Sequence, residues 1–181
     1  GYAPAGWTVL TRHLLREGIS EAEMITAGVV TRTREGRLID RFRDRAILPI
    51  THEGVVLGFV GRRNPDHDHV EIAGPKYLNT AETPLFHKGN QLYGATHLLA
   101  DPTRVPVLVE GPLDAHAVTL ASQGRYVGVA PLGTSLTTLQ AAQLADLGRA
   151  PIVATDADPA GRLAAERDYW LLTPHGLDPT Y

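Results

Sequence analysis

From Val105 onward, short apolar runs alternate with longer stretches of helical character, and no other feature limits the fold so strongly. Strands are expected over 105–109, 126–130 and 151–155, and helices over 113–122, 137–147 and 160–172. Gly124, Gly148 and Gly176 stand near the expected helix ends, as C-caps favour. Strands separated by helices of this length imply an α/β fold with a parallel sheet and right-handed crossovers. In such a sheet, ligands bind outside the carboxyl ends of the strands.

Acids stand at those ends. Glu110 follows Val107-Leu108-Val109, and Asp156-Ala157-Asp158 follows Ile152-Val153-Ala154-Thr155. Carboxylates gathered at one sheet edge repel each other unless a cation neutralises them, and hard oxygen donors suit Mg²⁺ or Mn²⁺. Asp114 belongs to the first turn of the helix after Glu110. Each acid also has a plainer reading. An acid at Asp114 is favoured by the helix dipole, and Asp158 is placed to cap a helix opening at Pro159-Ala160-Gly161. Their joint placement at one edge points to a divalent metal held against phosphates.

The first hundred residues read differently. Trp7, Leu10, Leu14 and Leu15 have the spacing of one helix face over 7–17, and Ser20-Glu21-Ala22-Glu23 is a capping box opening a second helix. Residues 29–33 and 37–39 form one expected hairpin, and 45–51 and 55–63 another. The polar stretch 64–74, with Asp66-His67-Asp68-His69, has metal-ligand residue types but nothing that fixes their geometry, and it is expected to be a solvated loop. Residues 91–100 read as a helix leading to a boundary at Asp101-Pro102. The expected organisation is a small basic α+β lobe over 1–100 and a parallel-sheet domain over 101–181.

Charge sharpens this division. The net charge is −3, yet eight Arg fall between positions 32 and 63 against four acids. Arg41, Arg43 and Arg45 alternate with other residues. On a strand they would share one face, as a phosphate-binding surface does. The chain has fifteen Arg and only two Lys, Lys76 and Lys88; either both positions want a compact point charge or the pattern is chance. Arg32, Arg34 and Arg37 surround a turn and read as ordinary surface. Cys is absent, which removes disulfides and thiolate metal sites and fits a cytoplasmic location. No apolar run approaches the ~20 residues of a membrane span, and no export leader is seen.

Several motifs together resemble a known family. Val109-Glu110-Gly111-Pro112-Leu113-Asp114, Leu132-Gly133-Thr134 and Asp156-Ala157-Asp158-Pro159-Ala160-Gly161 resemble the TOPRIM domain shared by primases, topoisomerases and some nucleases. Residues 40–50, Gly58-Phe59-Val60-Gly61-Arg62, the stretch from Pro75-Lys76-Tyr77-Leu78-Asn79 to His87-Lys88-Gly89, and Leu92-Tyr93-Gly94 resemble the catalytic core of bacterial DnaG-type DNA primases. The order and spacing are also similar, and the resemblance runs from about Trp7 to the last helix.

The resemblance implies a nucleotidyltransferase making short RNA primers. Glu110, Asp156 and Asp158 would be catalytic and hold Mg²⁺ or Mn²⁺ with Asp114. Arg41, Arg43, Arg45, Arg62, Lys76, Tyr77, Asn79 and Lys88 would contact nucleotide or nucleic acid. Implied partners are single-stranded DNA template, ribonucleoside triphosphates and a replicative helicase reached through regions outside this chain. Two departures stand out: Pro112 replaces the usual aromatic after Glu-Gly, and Ala157 replaces Gly between the two Asp. A further acidic pair, expected after the next strand, is not found before Tyr181. The alternatives are a nucleotide- or DNA-binding module without synthesis, and a metal-dependent nuclease. A nuclease would not need the basic N-terminal lobe.

Overall fold

In the computed structural model, residues 1–67, 74–101 and 103–181 are described, with side chains at 99 and 100 left aside. The chain divides into two compact units. One comprises Gly1–Ile50 and Val56–Phe86, the other Thr51–Val55 and His87–Tyr181. Among the described residues, no helix is long and apolar enough to cross a membrane.

The N-terminal half runs β1 (Tyr2–Ala3), α1 (Val9–Arg16), α2 (Glu21–Thr26), β2 (Val30–Arg32), β3 (Leu38–Asp40), β4 (Arg45–His52), β5 (Val55–Arg63) and β6 (Tyr77–Asn79). β1, β4, β5 and β6 form one sheet in that order, and β2 pairs with β3 as a separate antiparallel ribbon. The expected capping box forms at α2: Glu23 N donates to Ser20 Oγ, and Ser20 N donates to Glu23 Oε2. α1 is capped from a distance. Its N-cap Thr8 makes no side-chain capping bond. Instead Leu10 N and Thr11 N each donate to the Asp40 carboxylate at 2.8 Å, and Thr11 Oγ1 donates at 2.6 Å. Asp40 is only 2% exposed, so this acid is a buried helix cap.

One expectation fails here. Residues 41–44 form no strand, because β3 ends at Asp40, β4 begins at Arg45, and Asp44 has φ +50°. A positive φ breaks the pleat, and with it the shared face expected of Arg41, Arg43 and Arg45. In the stretch 64–74, Pro65–His67 is a 3₁₀ turn and His67 Nδ1 lies 2.8 Å from Asp44 Oδ2. Asp68 and His69 fall outside the described residues.

The C-terminal half runs β7 (Leu92–Tyr93), α3 (Ala95–Ala100), β8 (Val105–Leu108), α4 (Pro112–Ala121), β9 (Tyr126–Pro131), α5 (Thr138–Asp146), β10 (Ile152–Val153) and α6 (Pro159–Leu172). The helix expected from Gln91 starts only at Ala95, since Leu92 and Tyr93 pair antiparallel with Pro131 and Ala130. The sheet order is β10-β8-β9-β7, with β8 parallel to both β9 and β10. Leu98, Leu108, Val127, Val129, Leu144 and Leu172 lie in its core. β10 is shorter than expected, but its outer edge is not bare. Thr180 bridges Ile152 in parallel, with Val153 N donating to Thr180 O at 2.7 Å. The chain therefore returns to the sheet after α6.

Candidate active site at the carboxyl edge of the sheet

The parallel strands deliver their acids to one edge. Val109 N still donates to Val129 O at 2.9 Å, and the chain leaves the sheet at Glu110. Glu110 Oε1 accepts a hydrogen bond from Asp156 N at 2.9 Å, which ties the end of β8 to the turn after β10. Asp158 caps α6: its Oδ1 accepts from Gly161 N at 2.7 Å, and Pro159 occupies the first turn. The turn packs tightly on the helix it opens. A β-carbon at Gly161 would lie 2.0 Å from Asp156 O, so only glycine lets the Asp-x-Asp turn settle there. Thr155 Oγ1 adds a bond to Gly161 O at 2.9 Å. Asp114 is exposed in the first turn of α4, beside Gly111.

Every candidate metal donor here is a carboxylate oxygen, which is the chemistry of a hard divalent cation. Among the described residues, no three His, Cys, Asp or Glu are gathered closely enough to hold a metal as they stand. A small hard cation does not need such a cage. It commonly takes one or two carboxylates and completes its shell with water and substrate phosphates. The exposed carboxylates of Glu110, Asp156 and Asp158 fit that role.

Beside them opens a cavity of about 480 Å³, lined in part by Glu110, Thr134, Ser135, Thr155, Asp158 and Arg167. Asp168 also lines it and is 5% exposed. Its Oδ1 has no hydrogen-bond partner, with Arg167 Nη2 at 3.6 Å. Burial pushes the Asp168 carboxyl up, while the Arg167 charge pulls it down by less. The sequence reading missed Asp168. A signal existed, since it follows Gly161 by seven residues and precedes Leu172 by four, which is the buried phase of α6. Lys88 reaches the same neighbourhood from a 3₁₀ turn, Lys88–Asn90, with its stem alongside Gly133.

The first unit carries the other basic residues, and they do not form the expected row. Arg41 is half-buried, with Nε and Nη2 donating to Asn79 O at 3.0 and 2.8 Å. Arg43 donates to Asp40 O, and its guanidinium lies over the Trp7 ring, 4.3 Å from the centroid. Arg45 is 4% exposed and donates to Gly61 O at 3.1 Å. The three guanidinium groups therefore diverge. A different basic group takes their place. Burial lowers the Arg45 pKa, and the neighbouring charges of Arg63, Arg43 and Arg62 lower it further. Arg62 opposes Tyr77 across β5 and β6, with its guanidinium 5.6 Å from the Tyr77 ring centroid, and Lys76 Nζ lies 6.0 Å from it. Asn79 ends β6, half-buried. Arg63 belongs to this group and was not singled out from sequence.

Comparison with known proteins gives concordant results. Residues 1–99 match the family model described as DNA primase catalytic core, N-terminal domain, and residues 107–181 match a Toprim-like model. The chain is 35% identical to a DNA primase of Pseudomonas putida over 197 residues, covering 99% of this chain and 29% of that protein. It is 38% identical to the Escherichia coli K12 DNA primase over 185 residues, covering 98% of this chain and 30% of that one. Among solved structures, the Aquifex aeolicus primase zinc-binding and RNA polymerase domains superpose with TM-score 0.83 at 33% identity, covering 99% of this chain and 43% of that one. A DnaG primase catalytic domain bound to ssDNA gives TM-score 0.80 at 36% identity, covering 99% of this chain and 55% of that one. The chain thus spans less than a third of the curated relatives' length.

Proposed function

The chain belongs to the DNA primase catalytic-core family, and we therefore propose that it carries the nucleotidyl-transfer site of an enzyme that makes RNA primers on single-stranded DNA. One observation bears most of this reading: the 2.9 Å bond from Asp156 N to Glu110 Oε1 joins the two acid-bearing strand ends at the mouth of the cavity. The relatives are named DNA primases, which favours synthesis over the nuclease and binding-only readings. Divalent-metal dependence is general to the family, and Mg²⁺ or Mn²⁺ is the ion we assign, held by Glu110, Asp156 and Asp158 with Asp114 nearby. When bound, such an ion neutralises triphosphate charge and acidifies the attacking hydroxyl.

The protein's own residues do the rest. Glu110 fixes the Asp156 turn, and Asp158 anchors that turn to α6. Lys88 supplies a positive charge for a triphosphate oxygen. Arg62, Lys76 and Tyr77 form the contact surface of the first unit for nucleic acid, joined by Arg43. Arg41 and Arg45 support that surface through backbone carbonyls. Ribonucleoside triphosphates and single-stranded DNA are the proposed ligands, the latter being bound by one similar catalytic domain.

The test is ribonucleotide incorporation on a single-stranded DNA template with Mn²⁺, comparing the chain with Glu110→Gln. The glutamine oxygen still accepts from Asp156 N, so the fold is kept while the charge is lost. Product from the parent and none from the variant supports the proposal. Equal product from both refutes the role of Glu110, and no product from either refutes synthesis by this chain.

A further inference from the structure

Side chains of α5 and of its N-cap Thr137 hold the turn that carries Lys88. Thr137 Oγ1 donates to Gly89 O at 2.6 Å, and Gln143 Nε2 donates to Asn90 O at 2.6 Å. Gln140 Nε2 donates to Gln91 O at 2.8 Å and reaches Lys88 O at 3.4 Å. Gln140 also completes a capping box: its Oε1 accepts from Thr137 N at 3.0 Å, and its own N donates to Thr137 Oγ1 at 3.2 Å. At 1% exposure, this amide sits where an unmet hydrogen bond is costly, and both its ends are used. One buried side chain thus fixes the start of α5 and the backbone of the Lys88 turn together.

The side chain of Lys88 is constrained from a second direction. A β-carbon at Gly133 would meet Lys88 Cε at 3.1 Å and Nζ at 3.6 Å. Gly133 itself lines the cavity, next to Thr134 and Ser135. The lysine stem therefore runs close along position 133, and a methyl there would push its end aside by a few tenths of an ångström. A flexible four-carbon stem loses its charge placement easily, so a phosphate-binding lysine gains from having both its backbone and its path fixed.

We infer that Gln140 and Gly133 are positioning residues that set the Lys88 ammonium at the rim of the cavity for a nucleoside triphosphate. The inference rests on the reading of Lys88 given above and extends it to two residues that act through the placement of Lys88. A purely structural role predicts something else. Gln140 as a helix cap, or Gly133 as a packing site, would affect stability and would act independently of Lys88.

The experiment measures ATP binding with Mn²⁺ by the 181-residue chain, together with its melting temperature, in a double-mutant design. Lys88→Ala should weaken binding about tenfold, as loss of a charge-assisted phosphate contact does. Gly133→Ala should weaken it about three- to tenfold at nearly unchanged melting temperature, because only the lysine stem needs to shift. Gln140→Met, close in volume, should weaken binding while also lowering the melting temperature. Neither second-site effect on binding should recur when Lys88 is already Ala. If Gly133→Ala and Gln140→Met weaken binding equally in both backgrounds, the positioning role is overturned. If Lys88→Ala weakens binding and the other two leave it untouched, the reading of Lys88 stands and the inference fails. If the parent binds no ATP, or Lys88→Ala binds like the parent, the Lys88 reading falls and takes the inference with it.

Discussion

Replacing Asp168 with Asn should make the protein more stable at neutral pH, and the gain should fade in acid. Asp168 is 5% exposed, and its Oδ1 meets no donor. A buried polar atom left without its partner costs roughly 1–3 kcal/mol, and more when charged. The opposing contribution is the Arg167 guanidinium at 3.6 Å. Its side chain is 49% exposed, so water screens much of that attraction, and desolvation prevails. Burial accordingly raises the folded carboxyl above its ordinary 3.8. The sign follows. Between the unfolded and the folded pKa, the native state keeps the proton longer, so stability falls as pH rises. Above both values the penalty is constant, and below both it vanishes. Asp168→Asn removes the ionisable group at nearly constant volume. Asn leaves a polar atom at the same buried place, so only the share of the penalty due to charge is recovered, and we expect a gain of about 1 kcal/mol at neutral pH, or about 2–4 °C for a chain of this size. Urea unfolding of parent and variant, followed by circular dichroism at about pH 7.5 and about pH 4, measures the difference. A variant less stable than the parent at neutral pH would show that the Arg167 pair outweighs burial. A gain identical at both pH values would mean that ionisation of Asp168 is not its source.

Two further outcomes concern the fold around the site and the first unit. Gly161→Ala should destabilise by about 1–3 kcal/mol or more, because the new methyl would sit 2.0 Å from Asp156 O and backbone must move; a melting temperature equal to the parent's would count against this tight turn. Asp40→Ala should cost about 3–5 kcal/mol, since two backbone N–H groups and the Thr11 hydroxyl lose a buried charged acceptor. Trp7 fluorescence in a Trp170→Phe background reads the first unit, and a change below about 1 kcal/mol would refute the capping role.

The alternation from Val105 onward was legible because its helices and its two longer strands, β8 and β9, are bounded by turn residues, and because Gly124, Gly148 and Gly176 mark the helix ends with positive φ. The capping box at Ser20 and Glu23 was legible because both partners lie within one turn. What stayed hidden was short or non-local. β7 has two residues, too few to show any period, so it merged into the helix behind it. Arg41, Arg43 and Arg45 have strand-like spacing, but nothing local announces the positive φ at Asp44 that turns them apart. Gln140 looks like an ordinary helix residue until the Lys88 turn, far back in sequence, is folded against it. Candidate acids were easier to place, because strand ends in a parallel sheet gather at one edge whatever the local detail.

Asp40 has a kinetic consequence. α1 is eight residues long, well below the ~12–15 at which an isolated helix becomes marginally stable. Its N-terminal amides wait for a carboxylate 29 to 30 residues further along the chain. The β2–β3 ribbon that delivers Asp40 closes through a short turn, with Thr33 N bonded to Arg37 O at 2.8 Å. Local contacts form before distant ones. The ribbon is therefore expected to form before the helix is fixed, and hydrogen exchange at the Leu10 and Thr11 amides should report its opening.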